Sequence, residues 1–234
     1  EFLQPIIKSP TDCTSIFVQA NALRTRLFLC QKTEAELKGT AALEYIRWGE
    51  SQGFHTNASV RGRTRWWSFS IEAANSIFVK EAHNTSAVFY NPSRYSVDCR
   101  LYYADLSITT LVYLNSVVGA LLFEIYNRAG LGGGARSMMV SDYAMVPVLY
   151  DLVGREKEAK QVFQQTYSLP ARQILFLEQK KHRCDEPWKD LDDFIFAILG
   201  LTQMERDAVY EATVDLVERR LQKAAKYSGS NAGL

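Results

Sequence analysis

Residues Ser107–Val148 read SITTLVYLNSVVGALLFEIYNRAGLGGGARSMMVSDYAMVPV, and the other segments are best interpreted around them. Two apolar runs open the stretch, and Asn115 and Ser116 separate them. Gly119 interrupts the second run, at a cost of about 1 kcal/mol relative to alanine. Apolar side chains recur at steps of three and four residues, which predicts one face of a buried helix. The face comprises Leu111, Leu114, Val118, Leu121, Leu122, Ile125 and Tyr126.

Glycines follow the predicted helix. Gly130 stands where a left-handed cap would end the helix, and Gly132, Gly133 and Gly134 continue the loop. The next segment, Met138–Val148, has the composition of a strand. The stretch therefore predicts a buried helix, a glycine-rich loop and a strand, in that order.

Length and composition leave the class of protein open. The 234 residues suffice for one large domain, or for one domain with a helical appendage. The net charge of +1 neither indicates nor excludes nucleic acid as a partner. The chain starts at Glu1 without an initiator methionine, which suggests a piece of a longer protein, and no signal-peptide pattern opens it. The longest apolar run, 111–126, is too short and too polar to span a bilayer.

Capping signals and short β-type runs divide the N-terminal part. Thr33 and Glu36 form a capping-box pattern, which predicts a helix that reaches about Glu50, with Gly39 as a point where it can divide. The apolar side of this helix is expected to comprise Leu37, Leu43, Ile46 and Trp48. Runs rich in β-branched and aromatic residues predict strands at 16–18, 27–30, 77–80, 87–90 and 95–103.

The segment 55–67, HTNASVRGRTRWW, is polar and basic and then abruptly aromatic. Alternate residues of an extended segment point the same way, so three guanidiniums would share one side, those of Arg61, Arg63 and Arg65. Such a row suits a phosphate backbone with base edges beside it. The alternative is a solvated loop that Trp66 and Trp67 anchor to the core. We favour a core position for Trp67 and a functional role for the arginines.

The C-terminal third is charged and predicted to be helical. Helices are expected over 151–167, 171–181 and 191–199, and Thr202 with Glu205 forms a capping box for a last helix. The apolar stripe of that helix is expected to pack on its own domain, with a partner helix as the second choice. The stripe comprises Ala208, Val209, Ala212, Leu216, Val217 and Leu221.

Motifs of catalysis and of metal binding are missing from the sequence. His55, His83 and His182 are far apart, and the four cysteines form no CxxC pair, which argues against a zinc site and a disulfide framework. There is no GxSxG motif, no P-loop and no GxGxxG motif between a strand and a helix. The glycines at 130–134 precede a predicted strand, so they point no helix N-terminus at a phosphate. The pattern favours a binding module over an enzyme, and no metal is expected.

Several segments, taken in order, resemble one known family. They are ALEYIRWGESQGFHTNASVRGRTRWWSF, SIFVKEAHN, a strand pair ending in LYYADL, and TTLVYLNSVVGALLFEIYNRAGLGGGARSMMVSDYAMVPV. Over residues 5–150 the chain resembles the C-terminal target-recognition domain of adenine-N6 DNA methyltransferases, which is the TaqI-like specificity domain of restriction–modification enzymes. Three features carry this resemblance: the arginine loop with its two tryptophans, the helix containing Asn115 and Ser116, and the glycine–alanine turn.

The resemblance implies a fold, and it implies that DNA recognition and methyl transfer belong to different domains. The fold would be α+β, with a twisted, mainly antiparallel sheet and a buried helix over 1–150 and a helical C-terminal region over 151–234. The function would be recognition of double-stranded DNA, in the cytoplasm, for a site-specific adenine-N6 methyltransferase that could also cleave DNA. Methyl transfer from S-adenosylmethionine would belong to a catalytic domain of the same polypeptide. This chain alone is therefore expected to hold no cofactor and to methylate nothing.

By position, the resemblance places the DNA-facing residues in the segments 61–67 and 132–137. In such domains side chains read base edges in the major groove, and phosphate contacts fix the register. The expected DNA-binding residues are Arg61, Arg63, Arg65, Trp66, Gly132, Gly133, Gly134, Arg136 and Ser137. A second hypothesis is a protein–protein module that forms an oligomer through the C-terminal helix. A third hypothesis, a hydrolase with dispersed acidic residues, has little support in the sequence. No membrane association is expected.

Overall fold

The computed structural model describes residues 1–129, 134–149, 154–175, 177 and 186–230. Its helices are α1 (Ala41–Ser51), α2 (Ile108–Asn115), α3 (Val117–Tyr126), α4 (Val140–Met145), α5 (Glu156–Gln165), α6 (Glu186–Leu199) and α7 (Gln203–Ser230). Its strands are β1 (Leu3–Ile7), β2 (Arg26–Phe28), β3 (Ser76–Val79), β4 (Glu81–Ala82), β5 (Thr85–Ser86), β6 (Val88–Tyr90), β7 (Ser96–Val97), β8 (Leu101–Ala104), β9 (Arg128–Ala129), β10 (Arg136–Ser137) and β11 (Arg172–Gln173). The predicted α+β class with a helical C-terminal region is confirmed.

The best-buried sheet has the strand order β6–β3–β8 and is antiparallel throughout. Ile77 at its centre pairs with Phe89 on one side and with Tyr103 on the other. All four residues of β3 are buried, which agrees with the strand predicted at 77–80. The other sheets are small: β2–β1–β7, β4–β10–β9 and β11–β5, in which only β1 and β7 run parallel among the described strands.

The helix predicted over 108–126 is in fact two helices, α2 and α3, bent by 74° at Ser116. The Ser116 hydroxyl accepts a hydrogen bond from the Gly119 amide over 3.2 Å and so begins a new helix. Asn115 turns its side-chain amide to β6, where it accepts from the Val88 amide over 3.0 Å and donates to the Val88 carbonyl over 2.9 Å. The two polar residues therefore end one buried helix and begin another.

The strand predicted over Met138–Val148 is wrong, because α4 occupies most of that segment. The Asp142 carboxylate accepts a hydrogen bond from the Met139 amide over 2.8 Å, which satisfies a donor at the start of the helix. Strand pairing is limited to Arg136 and Ser137 in β10. A local bond between side chain and backbone has overridden the β-type composition.

Several shorter predictions are confirmed with shifted bounds. The predicted strand at 27–30 overlaps β2, and the one at 95–103 divides into β7 and β8. The segment 16–18 forms only an isolated bridge, between Phe17 and Tyr90. The helix predicted from Thr33 begins only at Ala41, as α1, because residues 34–39 form turns and Gly39 has a φ of +76°. The capping box of Thr202 and Glu205 is formed as predicted.

Predictions for the C-terminal third are confirmed only in part. The helices α5 and α6 lie within or overlap the predicted ranges, but 171–181 begins with strand β11, and 178–181 lies outside the described residues. On α7, Val217 is fully buried against its own domain, as expected. Ala208 and Ala212 are exposed, however, and Val214 takes a core position that the predicted stripe lacks.

The buried carboxylate of Asp192 on α6 ties four elements together. It accepts a hydrogen bond from the Val117 amide at the start of α3 over 2.7 Å. The guanidinium of Arg172 in β11 donates two bonds to it, of 2.7 and 2.9 Å, and the Tyr210 hydroxyl of α7 donates one of 2.7 Å. A charge with no exposed surface is tolerable here because each of its acceptor oxygens is paired.

The main core lies between the β6–β3–β8 sheet and the helices α2, α3, α5 and α6. A separate, smaller core, which we call the N-terminal lobe, contains Cys30, Leu37, Ile46 and Trp67. Among the described residues no single helix is long and apolar enough to cross a membrane. Only the bent α2–α3 pair would suffice by length and composition, and it forms part of the core.

Candidate nucleic-acid interface

A basic loop, defined as residues His55–Arg65, projects from the N-terminal lobe. Phe54 and Trp66, which flank the loop, both pack beside Gly49 of α1. A Cβ atom built on Gly49 would lie 2.6 Å from the Trp66 ring and 3.6 Å from the Phe54 ring. The ends of the loop therefore meet at one glycine, in the manner of a compact surface loop. No aspartate or glutamate occurs between Ser51 and Ile71.

The arginines of the basic loop are open to solvent to different degrees. Arg61 and Arg63 are exposed, whereas Arg65 is half-buried. Within the described part of the chain none of the three has an ion-pair partner. The Arg63 guanidinium lies 5.6 Å from the centroid of the Phe69 ring, a cation–π contact that leaves its charge uncompensated. The loop thus carries positive charge that its own fold does not neutralise.

The expectation of an extended arginine segment is wrong. Residues 58–62 form turns and 63–65 a bend, with Arg61 donating its amide to the Asn57 carbonyl over 2.9 Å. Alternation therefore does not place the guanidiniums on one side. Hydrogen bonds from Thr33 lower the pKa of the Glu36 carboxyl most, and the charges of Lys32 and Arg65 add to that shift.

Trp66 is an anchor of the basic loop rather than a freely exposed contact residue. Its indole Nε1 donates to the Glu50 Oε1 over 3.3 Å, and its ring meets Trp67 edge to face. Trp67 is only 6% exposed, so its predicted core position is confirmed. The pKa of Glu50 is lowered mainly by the hydrogen bond from Arg47 and secondarily by the one from Trp66.

The glycine-rich segment is only partly described, since Gly132 and Gly133 lie outside the described residues. Gly134 is buried, and its φ of +69° suits glycine. A Cβ atom there would lie 2.9 Å from the Cβ of Ala224 on α7. Ser137 is half-buried within the β4–β10–β9 sheet. Helix α7 therefore covers the C-terminal end of this loop, and Gly134 is not open to a DNA backbone in this arrangement.

The expectation that Arg136 contacts DNA does not fit its position. The side chain is 2% exposed, and its guanidinium lies 3.5 Å from the Glu124 carboxylate and 5.1 Å from the Phe123 ring centroid. Burial lowers the pKa of Arg136, and the nearby Tyr143 and Glu124 oppose that shift. One nitrogen of the guanidinium, Nη2, has no hydrogen-bond partner. Arg136 belongs to the interior, so of the described residues Gly134 and Arg136 do not share an exposed surface with the basic loop.

Sequence reasoning missed a row of aromatic rings along α1, which we call the aromatic ladder. It comprises the half-buried Phe28 of β2, the exposed Tyr45 and Trp48 of α1, and the exposed Phe54 just after that helix. Tyr45 and Trp48 stack with ring centroids 5.5 Å apart and planes at 23°. Phe28 meets Tyr45 at 5.2 Å, and Phe54 meets Trp48 at 5.6 Å, both edge to face. The spacing of Tyr45 and Trp48 by three residues was the available signal, but Trp48 was assigned to the apolar side of the helix.

Within the described residues no group of three or more His, Cys, Asp or Glu side chains could hold a metal ion. The surface chemistry of the site is thus cationic and aromatic. These features define the class of protein. It is a mixed α+β domain with a broken buried helix, a basic loop and a helical extension.

The comparisons with known proteins agree with this class. The family model described as "Type II methyltransferase M.Eco57I, C-terminal domain" matches residues 11–179. The chain therefore belongs to the family of C-terminal domains of type II methyltransferases, and the predicted resemblance to the C-terminal domain of a restriction–modification enzyme is confirmed.

A solved structure has a similar fold. It is the crystal structure of the type IIG restriction endonuclease BpuSI, with a TM-score of 0.64 and 14% sequence identity. The similarity covers 95% of this chain and 27% of that one, so the chain spans about a quarter of the endonuclease. At this identity the comparison shows the fold alone. A comparison with curated proteins found no match.

Proposed function

We propose that this chain binds double-stranded DNA and supplies sequence recognition to a site-specific adenine-N6 DNA methyltransferase of a restriction–modification system. The single observation that carries the proposal is the basic loop, whose arginines have no carboxylate within the loop and no ion-pair partner among the described residues. Arginines of this kind neutralise phosphates and so position a protein on the duplex. Membership in the methyltransferase family supports the same partner.

The methyl donor S-adenosylmethionine, which this proposal requires, does not fit the described part of the chain. Gly134 is covered by Leu221 and Ala224 of α7, and strand β10 rather than a helix follows it. There is no open glycine cradle at this end of the segment. We assign the cofactor to a catalytic domain of the same polypeptide, and no methyl-transfer step involves the residues described.

The rival hypothesis of a protein–protein module keeps only part of the surface on which it was based. It required the apolar stripe of α7 to be free for another subunit. Val214 and Val217 instead pack on Ala120 and Ile174 within the same chain, and Val217 has no exposed surface. At Val217 a partner helix would have to displace the domain's own core, so it could use only the exposed part of the stripe, around Ala208 and Ala212.

A salt titration of duplex binding tests the proposed function. Fluorescence anisotropy with a mixed-sequence duplex would compare the natural chain with the double variant Arg61→Ala/Arg65→Ala. Loss of two phosphate contacts should reduce the slope of log K against log salt by about 2 units. The matched control is Arg100→Ala/Arg219→Ala, which removes two exposed arginines that pair with Asp98 and Asp215.

The outcomes separate clearly. A reduced slope for the loop variant only would support phosphate contacts at the basic loop. Equal slopes for the loop variant and the natural chain would exclude this loop as the DNA contact. For the assignment to adenine-N6, nucleoside mass spectrometry of DNA modified by the full polypeptide should detect N6-methyladenine, and methylcytosine in its place would refute it.

A further inference from the structure

The aromatic ladder is exposed to an extent that its packing does not explain. Tyr45 is 51% exposed, Trp48 is 49% exposed and Phe54 is 44% exposed. Helix α1 already buries Ile46 and Gly49 toward the N-terminal lobe, so these rings are not needed to fill its core. Contiguous exposed aromatic surface marks a binding site more often than chance, because each ring left in water forgoes stabilisation by burial.

The charge around the ladder points to an anionic partner. The basic loop begins directly after Phe54, the last ring of the ladder, and returns to the same place at Trp66. The acidic side chains beside it are partly compensated, since Arg47 pairs with both Glu34 and Glu50, the latter over 2.8 Å. Glu44 remains as an exposed carboxylate on α1. The exposed aromatic surface and the two ends of the basic loop therefore lie together at α1, on the same lobe.

Flat aromatic rings next to cationic groups match the chemistry of unpaired nucleic acid. Each base has a π-face that stacks on an aromatic ring, while the neighbouring phosphates meet the positive charge. In a closed duplex the bases already stack on one another and offer no free face. Enzymes that modify a base must take it out of the stack, so an opened segment arises during the reaction of such a protein.

We propose that the aromatic ladder binds unpaired bases of an opened DNA segment, with Trp48 as the central stacking ring and the basic loop holding the adjacent phosphates. This inference rests on the proposed function, because it uses the same basic loop and the same class of ligand. It goes further in assigning a second, separable contact that distinguishes unpaired from paired DNA. The ladder rings contact bases, and the loop arginines contact the backbone.

The test measures binding to two probes in parallel. One is an oligothymidylate of about 12 nucleotides, within the range of lengths that such sites cover. The other is a fully paired, mixed-sequence duplex. Trp48→Ala should weaken oligothymidylate binding about tenfold, the effect of losing one stacked base, and change duplex binding less than about twofold. Trp48→Phe should restore most of the affinity, because it retains a stacking ring.

Tyr103→Ala is the matched control, since Tyr103 is an aromatic residue of the β6–β3–β8 sheet that is 42% exposed. It should leave binding of both probes unchanged. If Trp48→Ala binds oligothymidylate as well as the natural chain, the inference is refuted while duplex binding keeps the proposed function intact. If the natural chain binds neither probe, both fail. Equal losses for both probes would also overturn the inference, because they indicate damage to the whole lobe.

A second copy of the chain is the other ligand that the aromatic ladder could bind, and sedimentation of the chain without DNA tests for it. Self-association that Trp48→Ala abolishes, together with unchanged oligothymidylate binding, would show that the ladder receives a second copy of the chain and would overturn the proposal. A monomer with selective loss of oligothymidylate binding would support it.

Discussion

Arg220 of α7 donates a hydrogen bond through its Nε to Glu124 Oε2 of α3 over 3.0 Å, joining elements 96 residues apart. The same guanidinium also bonds to the carbonyl oxygens of Gly134 and His83. Glu124 is shared with Arg136, so two cations meet one buried carboxylate. The C-terminal helix is thereby fastened to the broken core helix and to the end of the glycine-rich segment.

Removal of the Glu124 charge should be costly. Glu124→Gln leaves Arg136 and Arg220 close together in the interior without a counter-charge. Because a buried charge without its partner destabilises a fold strongly, we expect the free energy of unfolding to fall by about 3 kcal/mol. Urea unfolding followed by circular dichroism would measure this change.

The control for that experiment is Asp215→Asn, which breaks the exposed ion pair between Asp215 and Arg219 on the same helix α7. Exposed pairs contribute about 0–1 kcal/mol, so the control should remain near the natural stability. Similar losses for the two variants would mean that the position of Glu124 in the interior has no special energetic role.

Asp192 provides a second test, of how α3, α6, α7 and β11 are held together. Asp192→Asn would remove the negative charge that faces Arg172 and weaken bonds from Val117 and Tyr210. We expect a loss of about 3 kcal/mol for this buried pair. Asp193→Asn, one residue further on and bound to Lys189 and Arg206 at a more exposed position, should cost less than about 1 kcal/mol. Thermal unfolding of both variants would decide, and equal melting temperatures would contradict the assignment.

The sequence predicted those features that depend on neighbours along the chain. The apolar run around Ile77 gave a buried strand, and Thr202 with Glu205 gave the start of the last helix. These signals are local, because the periodic spacing of apolar residues and the hydrogen bonds of a helix cap both involve residues only a few positions apart. The class of fold and the family followed from the order of such segments.

The sequence did not predict pairings between distant residues. Arg136 looked like a surface arginine after a glycine loop, but Glu124 and the cover of α7 place it inside. The aromatic ladder was missed for the opposite reason. Trp48 counted as apolar and hence as core, whereas the N-terminal lobe has only a small core that Ile46 and Trp67 already fill. Which apolar residue is buried depends on the tertiary contacts, so periodicity alone could not decide it.

At Gly119 the fold reverses the usual effect of a Gly→Ala substitution on stability. In an ordinary helix, Gly→Ala stabilises by about 1 kcal/mol. Here a Cβ atom would lie 2.5 Å from the Leu114 carbonyl oxygen and 2.6 Å from that of Tyr113, because the chain bends at Ser116. Gly119→Ala should therefore destabilise by about 3 kcal/mol, since these backbone atoms cannot move aside easily.

Gly62→Ala is the matched control for Gly119→Ala, because no atom lies within 4 Å of the Cβ position at Gly62. Its melting temperature should stay close to that of the natural chain. A stabilised Gly119→Ala variant would show that α2 and α3 can straighten, which would contradict a bend fixed by Asn115 and Ser116.

The Asp142 carboxylate gives the domain a predictable dependence on pH. Hydrogen bonds from the Arg128 guanidinium, at 2.8 to 3.0 Å, lower its pKa most, and the bond from the Met139 amide adds to the shift. A carboxyl group whose pKa is lower in the folded state stabilises the fold above its unfolded pKa of about 3.9. That contribution is lost as the pH falls through the folded pKa, because protonation removes the acceptor for Arg128.

Asp142→Asn should therefore unfold at a lower temperature than the natural chain at about pH 7, and the difference should shrink below about pH 4. Comparing the variant with the natural chain at each pH cancels the titration of all other carboxyl groups. Asp190→Asn, at an exposed position on α6, serves as the control and should change the melting temperature little at about pH 7. A difference for Asp142→Asn that stays constant down to about pH 3 would mean that its charge is not what holds β9 to α4, because below about pH 4 the unfolded natural chain takes up a proton at Asp142 and the contribution of the folded carboxylate shrinks.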